Sequence, residues 1–326
     1  QWLRFSLAAI LFMKKKLLVW LFFVATTING IAQQNMQFSL YTLNLNAINP
    51  ASTGINEMIH ISGVHRQQWL NIKRAPQITY MNVELPFSIE NSKHGAGIGF
   101  LNQGIGLFTN QSIVLKYAYH KKINEKTSLS GGLNIQFNSI GFNVKDATTG
   151  TSDFHSPNDP AIPTGSEISD LKTDIGVGAM VKNETYLLGV ALQNIVSPTY
   201  QLSNTEYNTP MNINLVGIYN IKTISSLYLI QPSVLVKTDF ATWQCELGST
   251  IQYKEKYWGG LGYRFQDAII FQVGMQLANG LTIGYAFDLP ISSMIYTSVG
   301  SHELSLSYSF KIEFSKKQTY KSIRHL

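Results

Sequence analysis

The stretch Glu303-Leu-Ser-Leu-Ser-Tyr-Ser-Phe310 decides the fold. Successive side chains of an extended strand point to opposite faces. Leu304, Leu306, Tyr308 and Phe310 therefore share one face, and Ser305, Ser307 and Ser309 share the other. The same alternation recurs upstream. Ile269, Phe271, Val273, Met275 and Leu277 oppose Ile270, Gln272, Gly274 and Gln276. Trp243, Cys245, Leu247, Ile251 and Tyr253 oppose Gln244, Glu246, Gly248, Thr250 and Gln252. Ile113, Leu115, Tyr117 and Tyr119 oppose Lys116, Ala118 and His120, and Leu261, Tyr263 and Phe265 oppose Gly260, Gly262 and Arg264. The second face is Gly, Ser, Gln and Asn with a few charges. A soluble sandwich would put mixed Lys and Glu there. Small uncharged polar groups suit a crowded, hydrated lumen, and the apolar face, with aromatic residues near strand ends, suits lipid.

Working outward from that pattern, strands are expected over 58–69, 77–85, 95–103, 110–120, 127–137, 173–182, 184–194, 212–221, 226–238, 241–253, 256–265, 267–278, 280–288 and 301–312. An open sheet edge is not tolerated in lipid, so the chain is expected to be all-β and to close into a transmembrane antiparallel β-barrel of 14 strands. Such a barrel should alternate long outer loops with short inner turns. The three longest connections, 138–172, 195–211 and 289–300, fall on one side, and turns such as Lys122-Ile-Asn-Glu-Lys126 and Ala278-Asn-Gly280 fall on the other. Both termini are then expected in the periplasm.

Composition agrees. Charged residues make up only 13% of the 326, against 44% hydrophobic and 12% aromatic, whereas soluble domains carry about 25% charged residues. After residue 32 no run approaches the roughly 18 apolar residues of a spanning helix. The formal charge of +6 includes Arg4, Lys14, Lys15 and Lys16 near the start, and five basic residues against one acidic from Lys311 onward. The basic balance is thus terminal and is no nucleic-acid surface. The single cysteine, Cys245, allows no internal disulfide.

Met13, three lysines, the apolar run Leu17–Ala25 and Gly30-Ile-Ala32 read as a cleavable N-terminal signal peptide cut before Gln33. Residues 1–12 are read as an over-extended start, 13–32 as the signal peptide, 33–57 as a lead-in or luminal segment, 58–312 as the barrel and 313–326 as a basic periplasmic tail. Segment 33–57 alternates weakly, and Asn49-Pro50 with Gly54 is turn chemistry. It could lead into the first strand, line the lumen, plug it or extend into the periplasm.

No catalytic motif emerges. Gly95-Ala-Gly-Ile-Gly99 lacks the following helix that a dinucleotide loop needs, and inward-facing glycines explain it better. The His residues show no metal-ligand spacing. A Ser–His pair involving His120 or His302 has no supporting motif. No cofactor or metal is expected. The loop 138–172 carries Asp146, Asp153, Asp159, Glu167 and Asp170 with three prolines. It reads as a solvated acidic loop, a docking surface or, less readily, a calcium site, although its spacing fits no EF-hand.

Several motifs carry a family resemblance. They are Gln37-Phe-Ser-Leu-Tyr41, Ile48-Asn-Pro-Ala-Ser-Thr-Gly54, His65-Arg-Gln-Gln-Trp69 with Ala75-Pro76, and Asn102-Gln-Gly-Ile-Gly106. The Asp153-Phe154 region, Gly259-Gly-Leu-Gly-Tyr-Arg264, Ile283-Gly-Tyr-Ala-Phe-Asp288 and Gly300-Ser-His-Glu303 continue the series. In that order and spacing they resemble the PorP/SprF family of outer-membrane proteins associated with type IX secretion and gliding motility. Leu40 stands where a second Gln is expected, and Leu43-Asn-Leu-Asn46 where a Phe-Asn-Pro-like stretch is common.

The resemblance implies a non-enzymatic barrel in the outer membrane. It would assist secretion or surface anchoring of a cognate adhesin-like protein with a C-terminal sorting domain, together with other type IX components. The candidate partner contacts are Phe38, Tyr41, Asn49, Pro50, Arg66, Trp69, Asp153, Phe154, Asp159 and Arg264. The competing reading is a solute porin or a transporter of hydrophobic compounds, for which a 14-strand barrel is wide enough.

Overall fold

The computed structural model describes residues 36–90, 92–143, 168–202, 205–223 and 227–311. The expected leader, most of the acidic loop and the basic tail lie outside the described residues. Fourteen antiparallel strands form a closed barrel. They are β1 (Ile59–Gln67), β2 (Gln77–Ile89), β3 (Ser92–Ile105), β4 (Phe108–Lys122), β5 (Thr127–Phe142), β6 (Ile168–Asn183) and β7 (Tyr186–Gln193). After them come β8 (Asn212–Tyr219, continued by Ile221–Lys222), β9 (Tyr228–Thr238), β10 (Trp243–Tyr253), β11 (Tyr257–Arg264), β12 (Ala268–Gln276), β13 (Leu281–Pro290) and β14 (Ser301–Phe310). Each strand pairs with its neighbours in sequence, and β1 pairs with β14 from Ile59↔Phe310 to Gln67↔His302, which leaves the wall no free edge. All fourteen expected strands are present.

One ladder is interrupted. The β8–β9 pairing runs from Ile213↔Thr238 to Ile218↔Ser233 and resumes in the same register at Ile221↔Ile230. The gap lies opposite Gln231 and Pro232, and proline has no N–H to donate.

The faces follow the alternation. Ile113, Leu115, Phe137, Leu247, Phe271, Val273, Leu304 and Leu306 are exposed outward. Ser112, Lys116, Asn134, Glu246, Gln272, Glu303 and Ser305 are buried inside. The short turns mark one mouth, the turn end, where β1 starts and β14 finishes. The longer connections mark the other, the loop end.

The structure corrects the extent of the longest loops. β5 continues to Phe142 and β6 starts at Ile168, so strand replaces part of the expected loop 138–172. The connection 195–211 contains a hairpin, Thr199–Leu202 paired with Thr205–Asn208. Its Tyr200 and Leu202 pack on Ile140 of the extended β5, with Phe142 and Tyr207 alongside. Apolar side chains at the ends of β5 therefore have a partner above the wall. That partner is separated in sequence, so local alternation does not announce it.

Segment 36–57 lies inside the barrel. A four-residue helix, α1 (Leu45–Ile48), is followed by a 3₁₀ turn, Pro50–Ser52, before the chain leaves toward β1. Proline at the first position of that turn suits its fixed φ, and Asn49 Oδ1 accepts from Ala51 N at 2.9 Å. Phe38, Tyr41 and Ile48 pack on Val64, Ile78, Tyr80, Leu101, Val216 and Leu235. The largest apolar cluster among the described residues is thus the contact between this plug and the inner wall. Of the alternatives for this segment, the described part is a plug.

Candidate functional site: the plugged lumen

At its loop-end half the plug is held by charge. Arg66 lies one residue before the end of β1, Arg264 ends β11, Asp288 lies near the end of β13 and Glu303 near the start of β14, so the topology gathers all four at one level of the lumen. Ser39 of the plug sits among them. Its hydroxyl donates to Asp288 Oδ1 at 2.7 Å and accepts from Arg66 Nη1 and Arg264 Nη2, both at 2.9 Å. The Ser39 and Leu40 amides donate to the two oxygens of Glu303 at 2.7 and 2.8 Å, and Gln272 Nε2 donates to Ser39 O at 2.9 Å. Arg66 pairs with Asp288 at 2.7 Å and Glu303 at 3.2 Å. Arg264 pairs with Glu246 and Asp288, each at 2.8 Å, and with the partly exposed Asp267 at 3.2 Å. Lys237 Nζ donates to Met36 O at 2.8 Å. With its amide oxygen turned toward Arg264 Nη1 at 2.9 Å, Gln37 also accepts from Gln244 Nε2 at 3.2 Å.

Both guanidiniums are about 1% exposed. Burying such charges is costly unless each is paired and hydrogen-bonded. Here each is paired, and the plug adds a hydroxyl and two amides to the set, although Arg66 Nε and Glu246 Oε1 find no partner among the described residues. Nearby, Leu40 packs with Ile270, Ala286, Leu43 and Trp258. Leu40, one family departure, and Leu43, the first residue of the other, Leu43-Asn-Leu-Asn46, thus form an apolar patch beside the charged cluster.

At the turn-end half the plug is held by close approach. A Cβ on Gly95 would lie 2.1 Å from Thr53 O, one on Gly132 2.4 Å from Ala51 N, and one on Gly178 2.1 Å from Asn49 Oδ1. Only glycine admits the plug there, its backbone at Gly95 and Gly132 and the Asn49 side chain at Gly178. Gly54, at φ +73°, turns the chain where it meets Gly95. Asn49 Nδ2 donates to Ala179 O at 3.2 Å and Val190 O at 3.1 Å, reaching the wall backbone between β6 and β7. Asn214 Nδ2 donates to Ile48 O at 3.1 Å, Gly54 N donates to Glu84 Oε2 at 2.8 Å, and His120 Nε2 lies 2.8 Å from Thr53 O. Lys116 Nζ donates to Asn46 O at 2.8 Å, to Asn82 Oδ1 at 3.1 Å and to Tyr80 OH. Where the plug leaves the lumen, Lys93 pairs with Glu57, and its hydrogen bond holds the carboxyl below the usual range.

Of the ten candidate contacts, Phe38, Tyr41, Asn49, Pro50, Arg66 and Arg264 meet in this plug–wall interface, all buried. Trp69 lies apart, half-buried in the loop-end connection at φ 46°. Asp153, Phe154 and Asp159 lie outside the described residues. Ser39, Glu84, Lys116, Glu246, Asp288 and Glu303 were not among the candidates. Their signal was available: each wall residue among them is an ionisable group on an inward face otherwise built of small polar residues. The described residues run from Met36, whose carbonyl accepts from Lys237 near the loop end, to Lys311 at the turn end.

Fold and site together define an outer-membrane β-barrel whose lumen is filled by its own N-terminal segment. The chain belongs to the PorP/SprF family of type IX secretion system membrane proteins, whose model matches residues 30–308. A comparison with curated protein sequences finds no match. Among solved structures the chain is similar to the CymD monoaromatic hydrocarbon channel, at 11% identity and TM-score 0.45, covering 89% of this chain and 97% of that one. It is also similar to Acinetobacter baumannii Omp33, at 8% and 0.44, covering 78% and 98%. The translocator domain of the Neisseria meningitidis autotransporter NalP is similar at 12% and 0.41, covering 78% and 87%. These are likenesses of barrel architecture, and the cargo of those proteins says nothing about this one.

Proposed function

We propose that this barrel serves type IX secretion by holding one cognate secreted protein, adhesin-like and with a C-terminal sorting domain, at the cell surface. The observation that carries this reading is the plug. Strands β1 to β9 and β11 to β14 each contact residues 36–54 directly, and Gln244 extends the contact to β10. A lumen so occupied suits a rigid platform better than a solute path. The loop end then faces outward and offers Trp69 and the acidic loop with Asp153, Phe154 and Asp159 to the partner. The turn end and the basic tail face the periplasm and the other secretion components. Phe38, Tyr41, Asn49, Pro50, Arg66 and Arg264 act on the partner indirectly, by fixing the platform. Deleting the gene should leave one adhesin inside the cell while general secretion continues, and unchanged surface display of every secreted protein would sink the reading.

A further inference from the structure

Between the plug and the outer hairpin, at the loop end, lies a cavity of about 150 Å³. Its chemistry is unusual for this lumen. Among the described residues lining it, Lys116 alone is charged, and that ammonium already donates to Asn46 O, Asn82 Oδ1 and Tyr80 OH. The rest are carboxamides, hydroxyls, aromatic rings and aliphatic groups. Asn134, Gln136 and Gln193 are oriented by hydrogen bonds between their carboxamides: Asn134 Nδ2 and Gln136 Nε2 donate to Gln193 Oε1 at 3.0 and 3.1 Å. The rings of Phe108 and Tyr207 stack at 5.9 Å on the same cavity. Asn46 of the plug, 6% exposed, carries a buried Oδ1 with no hydrogen-bond partner among the described residues. An unpaired buried acceptor is unfavourable, and this one belongs to a residue that lines the cavity.

We infer that this vestibule binds a neutral sugar unit. A carboxamide presents a donor and an acceptor side by side, which matches neighbouring hydroxyls on a pyranose ring. The C–H face of such a ring packs against an aromatic face, whose π-cloud is negative. A charged ligand would find no free counter-charge in the described lining. An extended peptide would find no strand edge on the wall, which is closed through β8–β9 and β1–β14. The inference does not depend on the identity of any secreted partner.

The test uses the full barrel in detergent and saturation-transfer NMR with glucose, galactose, mannose and N-acetylglucosamine as separate probes. Glucuronate and a capped alanine tetrapeptide are the contrasting probes. Transfer to at least one neutral sugar is expected. Gln136→Leu and Phe108→Ala should each weaken it roughly tenfold, the scale of one lost hydrogen-bonded or stacked group. Heat-modifiable gel migration shows that both variants keep the folded barrel. No transfer to any neutral sugar, equal affinity in both folded variants, or transfer only to glucuronate or the peptide would each overturn the inference.

Discussion

The plug's two halves are held in the same lumen by opposite means. Around Ser39 the wall offers buried charges, Arg66 and Arg264 against Asp288, Glu303 and Glu246, and the plug fills the gap between them with one hydroxyl and two amides. Around Asn49 to Gly54 the wall offers absences of side chain at Gly95, Gly132 and Gly178, and the plug fills the first two with backbone and the third with the Asn49 carboxamide. The first contact is strong only if every partner is present, because an orphaned buried ion is worse than none. The second depends chiefly on shape, supplemented by single hydrogen bonds such as Gly54 N to Glu84 and Lys116 to Asn46 O. Together they fix the segment at both mouths.

The largest expected effect comes from removing both contacts at once. Deleting residues 36–54 should turn a barrel with little conductance into one that forms large, steady channels in planar bilayers. An intact protein conducting as freely as the deletion would show that the plug does not close the lumen, and would favour the porin reading.

Asp288→Ala separates the halves. It removes the carboxylate shared by Arg66 and Arg264, and losing one partner of a buried ion set costs about 3–5 kcal/mol. The charged half should release first, seen as protease cleavage near Ser39 in a barrel that still migrates as folded. If cleavage instead falls first near Asn49, the glycine cradle is the weaker anchor and the comparison reverses.

Gly132→Ala probes the cradle. The new methyl would sit 2.4 Å from Ala51 N, and overpacking of this kind costs typically about 1–3 kcal/mol. The neighbouring Gly131 has nothing within 4 Å of such a methyl, so Gly131→Ala should leave the urea midpoint unchanged. Equal shifts in the two variants would remove the cradle argument.

The strands were legible because lipid imposes period-2 alternation on every span, from Ile113–Tyr119 to Leu304–Phe310. The plug was not, because Gln37–Gly54 has no period. Its order is set by residues such as Glu303, 264 positions from Ser39. The glycines of the 95–99 stretch were read as inward-facing, yet what they admit is visible only once Thr53 lies against Gly95. Arg264 stood out as a charge on an inward face, and Arg66 through the family-like motif His65–Trp69. Their role changed because the group they meet is Ser39 of the same chain.

The smallest effect should come from the exit of the plug, where the Lys93–Glu57 pair stands in solvent. Glu57 is 58% exposed at its side chain, so its attraction to Lys93 is heavily screened. Its carboxyl is nonetheless held below the ordinary value of 4.5, chiefly by the Lys93 hydrogen bond. A carboxylate depressed on folding stabilises the folded state above its unfolded pKa, and that contribution disappears as pH falls through the lower, folded value. Glu57→Gln should therefore cost about 0.5 kcal/mol or less at neutral pH, after allowance for screening. The two proteins should converge in acid, read as urea midpoints across pH. The difference should also shrink at high salt, as it does for exposed pairs, whereas the Asp288→Ala loss should persist because the buried set is shielded from counterions. A Glu57→Gln effect as large as that of Asp288→Ala would mean that the plug is anchored by charge at both mouths, and the contrast between its halves would fail.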